Sequence, residues 1–278
     1  MDSAWEIKKQ CREIIQQITA QRSEFFGDEE WLLCIREVST RLQGKFPRCG
    51  LSALSMANDL LFQDRITLTQ HDTKQQEEEL ESLLELAQLR GFSEQGEMYS
   101  AENLAKLAKE FYGLECLVTN DGLKDGNFIA SEVIVKGSAV LVPYDADKNH
   151  EPCLQNGHRA HWALVTGVLV ELPANSCDLT VCQQDTVLPT LFHTRPSPIF
   201  SMPESWKAQH IYLCAKHGKS RHTAVWTLAS VEKSNANLFE LDPIKKQNGN
   251  FVVPEEGIGV GLRGKIVITN QSVKSILT

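Results

Sequence analysis

Residues 43–62 read Gln43-Gly44-Lys45-Phe46-Pro47-Arg48-Cys49-Gly50-Leu51-Ser52-Ala53-Leu54-Ser55-Met56-Ala57-Asn58-Asp59-Leu60-Leu61-Phe62. From Cys49 onward the stretch is mostly apolar and reads as a buried helix over 49–62. Pro47 stands just ahead of it, where proline suits a helix entrance. A thiol in the first turn of such a helix faces unpaired backbone N–H groups and the positive end of the helix dipole. Both favour thiolate and make Cys49 a candidate nucleophile. Gly50 lets a substrate carbonyl come close to the backbone. The Cys49 N–H is then one oxyanion donor, and Gln43, six residues upstream, is a candidate second. The plain alternative is a cysteine that serves as a small buried hydrophobe.

A thiol nucleophile needs a base. Histidines stand at 71, 150, 158, 161, 193, 210, 217 and 222. His161 opens the apolar run His161-Trp162-Ala163-Leu164-Val165-Thr166-Gly167, which reads as a core strand. That placement fixes the backbone of His161 and puts its ring near a strand end, with Trp162 able to shield a thiol–imidazole pair from water. The same segment also suits a core histidine satisfied by hydrogen bonds.

Outward from these two segments, residues 4–21, 28–42 and 74–90 carry apolar positions at helical spacing. Ser100 caps a further helix that runs to Tyr112 and stops at Gly113. Strands are expected at 114–119, 139–144, 162–171, 210–215, 224–229, 251–253 and 265–269, with 127–136 either helix or strand. The stretch 172–209 holds five prolines and reads as an irregular insertion. These elements predict an α+β fold: a helical N-terminal half, with helices in 1–45, packed on an antiparallel sheet in one domain over 1–278. The cleft between the halves is the expected site.

Composition narrows the function. Of 278 residues, 42% are hydrophobic and 23% charged, ordinary for a globular chain. The formal charge of −8 argues against general nucleic-acid binding, which needs a surplus of Lys and Arg. No apolar run reaches the roughly 18 residues of a membrane span. The start, Met1-Asp2-Ser3-Ala4-Trp5-Glu6, lacks an apolar signal-peptide core. Eight cysteines show no CxxC pair and no regular framework, so they read as reduced thiols of a cytoplasmic protein.

Gln-x5-Cys-Gly at a helix start, followed far downstream by His-Trp on an apolar strand, resembles the papain-like cysteine peptidases, in particular their bacteriocin-leader-peptidase-like branch. More narrowly, several blocks resemble the actin maturation protease family. They are Cys49-Gly50-Leu51-Ser52-Ala53-Leu54, Gly96-Glu97-Met98-Tyr99-Ser100-Ala101, Pro143-Tyr144-Asp145, Asn149-His150-Glu151-Pro152-Cys153 and Gly157-His158-Arg159-Ala160-His161-Trp162. Gly218-Lys219-Ser220 and Ser234-Asn235-Ala236-Asn237-Leu238 fit the same family. The resemblance implies a papain-like fold and a cytosolic cysteine aminopeptidase that removes an acetylated first residue, Met or Cys, from immature actin. It assigns Cys49 as nucleophile, His161 as base and Gln43 as oxyanion donor, with no cofactor and no metal. The family often carries a Pro-rich N-terminal extension that this sequence does not show, so the chain is read as either a short form or a piece of a longer one. For the third catalytic residue, which would fix the imidazole tautomer, Asp242 is one candidate and Asn235 and Asn237 are others.

For the substrate, Gly50, Met98, Tyr99 and Trp162 are candidate lining residues of an apolar pocket, each equally suited to core packing. An acidic actin N-terminus calls for local positive charge. Arg48 and Arg159 are the first candidates, then Lys45, His158, Lys216, Lys219, Arg221 and His222. Competing readings are a Zn-dependent hydrolase using Asp145, Asp147, His150, Glu151, Cys153, His158 and His161, an acyltransferase or deamidase, and a non-catalytic module that binds actin or profilin.

Overall fold

The computed structural model describes residues 3–22, 29–62, 73–200 and 210–270. His71 and the last part of the insertion, 201–209, lie outside the described residues. The spine is strand β4, Ala160–Leu172, buried from His161 to Leu172. Its length and its Val, Leu and Ala content suit a strand covered on both faces. One edge of β4 pairs antiparallel with β7 (Ile211–His217); the other is shared by β3 (Ala139–Asp145) and β1 (Glu30–Ile35). At the bulge between Val165 and Gly167, a Cβ on Gly167 would stand 2.4 Å from the Cys34 carbonyl oxygen, so a side chain does not fit there. The sheet continues through β9 (Lys265–Asn270) and β2 (Glu115–Asn120) on one side. On the other it runs through β6 (Leu191–Thr194) and β5 (Gln183–Gln184), while β8 (Ala224–Thr227) pairs with β7.

Alternation along β4 sorts the core. Trp162 and Leu164 pack with α2 (Cys49–Phe62), α3 (Thr73–Leu89) and α4 (Ala101–Tyr112). Ala163 and Val165 pack with α5 (Gly126–Ile134) and α6 (Leu228–Ala236). Helix α1 (Ser3–Gln21) lays Ile7, Cys11 and Ile15 on Trp31, Leu33 and Leu169. The class is α+β with a mixed sheet, since β6 runs parallel to β1. Ser100 caps α4 through the Asn103 N–H, and Gly113 ends it at φ 70, as its sequence indicates.

Several expectations are corrected. The segment 28–42 is not a helix: over its described residues it forms β1 and then a stretch without regular secondary structure. The run Trp31-Leu32-Leu33-Cys34 is apolar on both faces because both are buried, and such a run lacks the alternation that marks a half-buried strand. The segment 127–136 is mostly helix α5. Residues 251–253 form no strand. Residues 228–229 begin α6 instead of ending a strand, and two short helices, α7 (Pro243–Asn248) and α8 (Ile258–Leu262), follow. The insertion supplies β5 and β6, so it is part of the sheet. No helix among the described residues is long and apolar enough to cross a membrane.

Candidate active site

Cys49 is the first residue of α2, and the Arg48 carbonyl behind it accepts the Ser52 N–H at 2.9 Å. Helix α2 packs on β4, which sets the sulfur beside the strand's first turn of chain. There it receives the backbone N–H groups of Trp162 and Gly50. A cleft of about 170 Å³ opens here, lined by Gln43, Cys49, Met98, Tyr99, Arg159, Ala160, His161 and Trp162, and also by His150, Lys219 and Lys245. Two segments far apart in sequence, the loop and helix start at 43–49 and the start of β4, therefore bring Gln43, Cys49 and His161 to one cavity.

Gln43 is buried at 5% exposure. Its Nε2 donates to the Phe46 carbonyl at 2.8 Å, which uses one of two amide protons, and its Oε1 has no partner among the described residues. His161 is buried at 7% exposure, and its Nε2 also has none. Its ring meets the edge of Tyr144 at 5.8 Å and lies 5.1 Å from the ring of His150 and 5.6 Å from that of His217. Tyr144 gives its hydroxyl proton to the His150 carbonyl at 2.8 Å, holding His150 at φ 66 against the cluster. His217 accepts the Lys219 N–H on Nδ1 at 3.3 Å and stacks on Trp226.

The electrostatics differ from the expected thiolate. Burial pushes the Cys49 thiol up; the N–H groups of Trp162 and Gly50 and the charges of Lys245 and Lys219 oppose it without prevailing. Burial also holds His161 well below the usual imidazole value, and His217, His150, Lys219 and Arg159 lower it further. His217 is lowered to about 4 by burial and by His150. Both shifts favour the neutral thiol and the neutral imidazole, because burial penalises each charged form more than the neighbours reward it.

The other expected residues divide. Met98 and Tyr99 line the cleft, and the Met98 carbonyl accepts the Trp162 indole N–H at 2.8 Å. A Cβ on Gly50 would lie 2.8 Å from Met98 Cβ and 3.2 Å from Trp162 Cδ1, so Gly50 admits these two side chains against the helix. Arg159 reaches the cleft. Arg48 does not: it is buried at 2% exposure, paired with Glu77 at 3.2 Å and Glu81 at 3.0 Å on α3. Lys216 is likewise buried and donates to Thr40 Oγ1 at 3.0 Å.

Among the candidates for a third catalytic group, Asp242 caps α7, accepting from the N–H groups of Ile244 and Lys245 at 2.8 and 3.0 Å. Asn235 donates to the carbonyls of Pro143 and Lys265, and Asn237 donates to Asp145. None of these described contacts reaches His161. Within 145–161, Asp145 and Asp147 hold the loop itself. Asp145 takes the Asn237 amide and the Gln155 N–H, and Asp147 takes the N–H groups of Asn149 and Glu151. Among the described residues no three His, Cys, Asp or Glu are grouped to hold a metal ion.

Sequence reasoning missed Lys245 and gave His150 and His217 no place beside His161. The signal for Lys245 was present: Asp242-Pro243 is an N-cap followed by proline at the first helical position, which announces α7.

Residues 38–169 match the family profile described as actin maturation protease-like, C-terminal domain. The actin maturation protease of Xenopus tropicalis is 38% identical over 93% of this chain and 80% of its own. That of Danio rerio is 34% identical over 92% and 80%, and that of Homo sapiens 34% over 96% and 74%. No solved structure matches significantly. Similarity at this level across nearly the whole chain, on both sides of the cleft, means that the chain belongs to the actin maturation protease family.

Proposed function

We propose that this protease is a cysteine-type aminopeptidase of papain-like fold that removes the N-acetylated first residue, Met or Cys, from immature actin. The observation that carries the reading is the meeting of Cys49, His161 and Gln43 in one small cleft. Its roughly 170 Å³ suits a single side chain with its acetyl cap better than an extended peptide. The names of the relatives supply actin as substrate. All eight cysteines are free thiols, which fits action in the reducing cytoplasm.

The chemistry follows from the neutral resting pair. His161 takes the Cys49 proton as the sulfur attacks the carbonyl of the acetylated residue. The free amide proton of Gln43 and the Cys49 N–H stabilise the oxyanion. Collapse breaks the C–N bond, and the imidazolium returns the proton to the leaving amine of the shortened chain. Water, deprotonated by His161, then opens the thioester, releasing the N-acetyl amino acid and restoring the thiol. Arg159, Lys219 and Lys245 stand at the cleft, so acidic residues following the scissile bond would meet three cations.

Mass spectrometry of an N-acetyl-Met acidic peptide tests this. Wild type shortens it by one acetylated residue and Cys49→Ala leaves it intact; equal shortening by both would remove the thiol mechanism.

A further inference from the structure

The turn after β7 is hydrogen-bonded to the loop that carries Gln43. Gln43 N–H donates to the Gly218 carbonyl at 2.9 Å, and Lys219 Nζ donates to the Gly44 carbonyl at 2.9 Å. These two bonds fasten the Gln43 loop to the end of β7. That end is itself fixed to β4 by the pairing of His217 with Ala163, two residues from His161. Gly218 then faces the Gln43 side chain directly. A Cβ there would lie 3.2 Å from Gln43 Cβ, 3.2 Å from Gln43 Oε1 and 3.2 Å from Ser52 Cβ. Gly218 is not among the glycines with positive φ, so its backbone accepts alanine and space alone is the constraint. Ser52 sits inside α2 and is held by its helix. The Gln43 side chain, fastened by a single hydrogen bond to the Phe46 carbonyl, is what would move.

We propose that Gly218 is a positioning residue for Gln43, its bare Cα leaving the amide where the oxyanion forms. The inference rests on the thiol mechanism proposed above. Displacing an oxyanion donor by a few tenths of an ångström weakens only the state in which the charge develops, so the loss belongs in kcat.

Wild type, Gly218→Ala, Gln43→Ala and the double variant are compared on the N-acetyl-Met peptide, with iodoacetamide alkylation of Cys49 as a second readout. Alkylation needs the sulfur and its base but forms no oxyanion. Gly218→Ala is expected to lower kcat about tenfold or more, with KM within about twofold and the alkylation rate unchanged. The double variant is expected to be no slower than Gln43→Ala. Losses that multiply in the double variant, or a parallel fall in alkylation, would overturn the proposal. Should Gly218→Ala melt below the assay temperature, the double variant, freed of the Oε1 contact, carries the comparison with Gln43→Ala. Full turnover by Gln43→Ala and Cys49→Ala would instead strike the mechanism on which the proposal stands, and the proposal with it.

Discussion

The indole N–H of Trp162 donates to the Met98 carbonyl at 2.8 Å, joining the strand that carries His161 to the loop that walls the cleft. Trp162 is 2% exposed and Met98 2%, so this bond is out of water. Trp162→Phe keeps most of the packing but leaves a buried carbonyl without its donor. The expected cost is about 1–3 kcal/mol in urea denaturation, with a lower kcat as the wall loosens. A variant as stable as wild type would show that another donor replaces the indole.

The histidine cluster sets a pH dependence. His217 has its folded value at about 4, below the usual 6.5, and His161 is lowered too. Between those values the unfolded chain binds protons that the folded chain refuses. The histidine contribution to stability is therefore full above pH 6.5 and falls as pH drops toward 4, with His217 alone accounting for about 3 kcal/mol of that loss. His217→Gln should flatten this slope in denaturation curves measured from pH 7 to pH 4. Unchanged slopes would place the proton uptake elsewhere.

The same groups shape activity. A base held neutral keeps the acid limb of kcat/KM below the ordinary histidine value, while a thiol pushed up makes alkylation of Cys49 climb on the alkaline side. Iodoacetamide rates measured across pH should rise toward high pH. A plateau already reached at neutral pH would instead indicate a resting thiolate.

Charge at the cleft should be read in salt dependence. Lys245→Glu and Arg159→Glu are expected to raise KM for acidic peptides, more at low ionic strength than at high, since exposed charges are screened by salt. Losses of equal size at every salt concentration would exclude an electrostatic role.

Arg48 behaves differently because it faces α3. Arg48→Glu would place a third carboxylate beside Glu77 and Glu81 in a site with 2% exposure. The expected result is destabilisation of about 3 kcal/mol or more in denaturant, with no salt-dependent change of KM in whatever folds. A stable Arg48→Glu protein with weakened peptide binding would return this residue to the cleft.

What the sequence made legible was local. The helix at Cys49, the Ser100 cap, the Gly113 stop and the strand at His161 are each written in a few neighbouring residues. Strand β1 was hidden because residues buried on both faces lose their alternation, leaving an apolar run that suits a helix as well. The fate of Arg48 was hidden because its carboxylate partners lie on another helix, and the capping role of Asp242 was hidden because a capping carboxylate and a catalytic one look alike in sequence. The neighbours of His161 could not be read at all, since His150 and His217 meet it only through the register of β7 against β4 and the fold of the 145–159 loop.

The cleft draws on residues from Gln43 to Leu262, and its Lys219 and Lys245 come from the last quarter of the chain. A nascent polypeptide emerging from the ribosome thus exposes its sulfur and its imidazole long before the wall around them is closed. A cleft walled by residues so distant along the chain is assembled only once the segments carrying the two lysines have folded back onto the helix and strand that precede them.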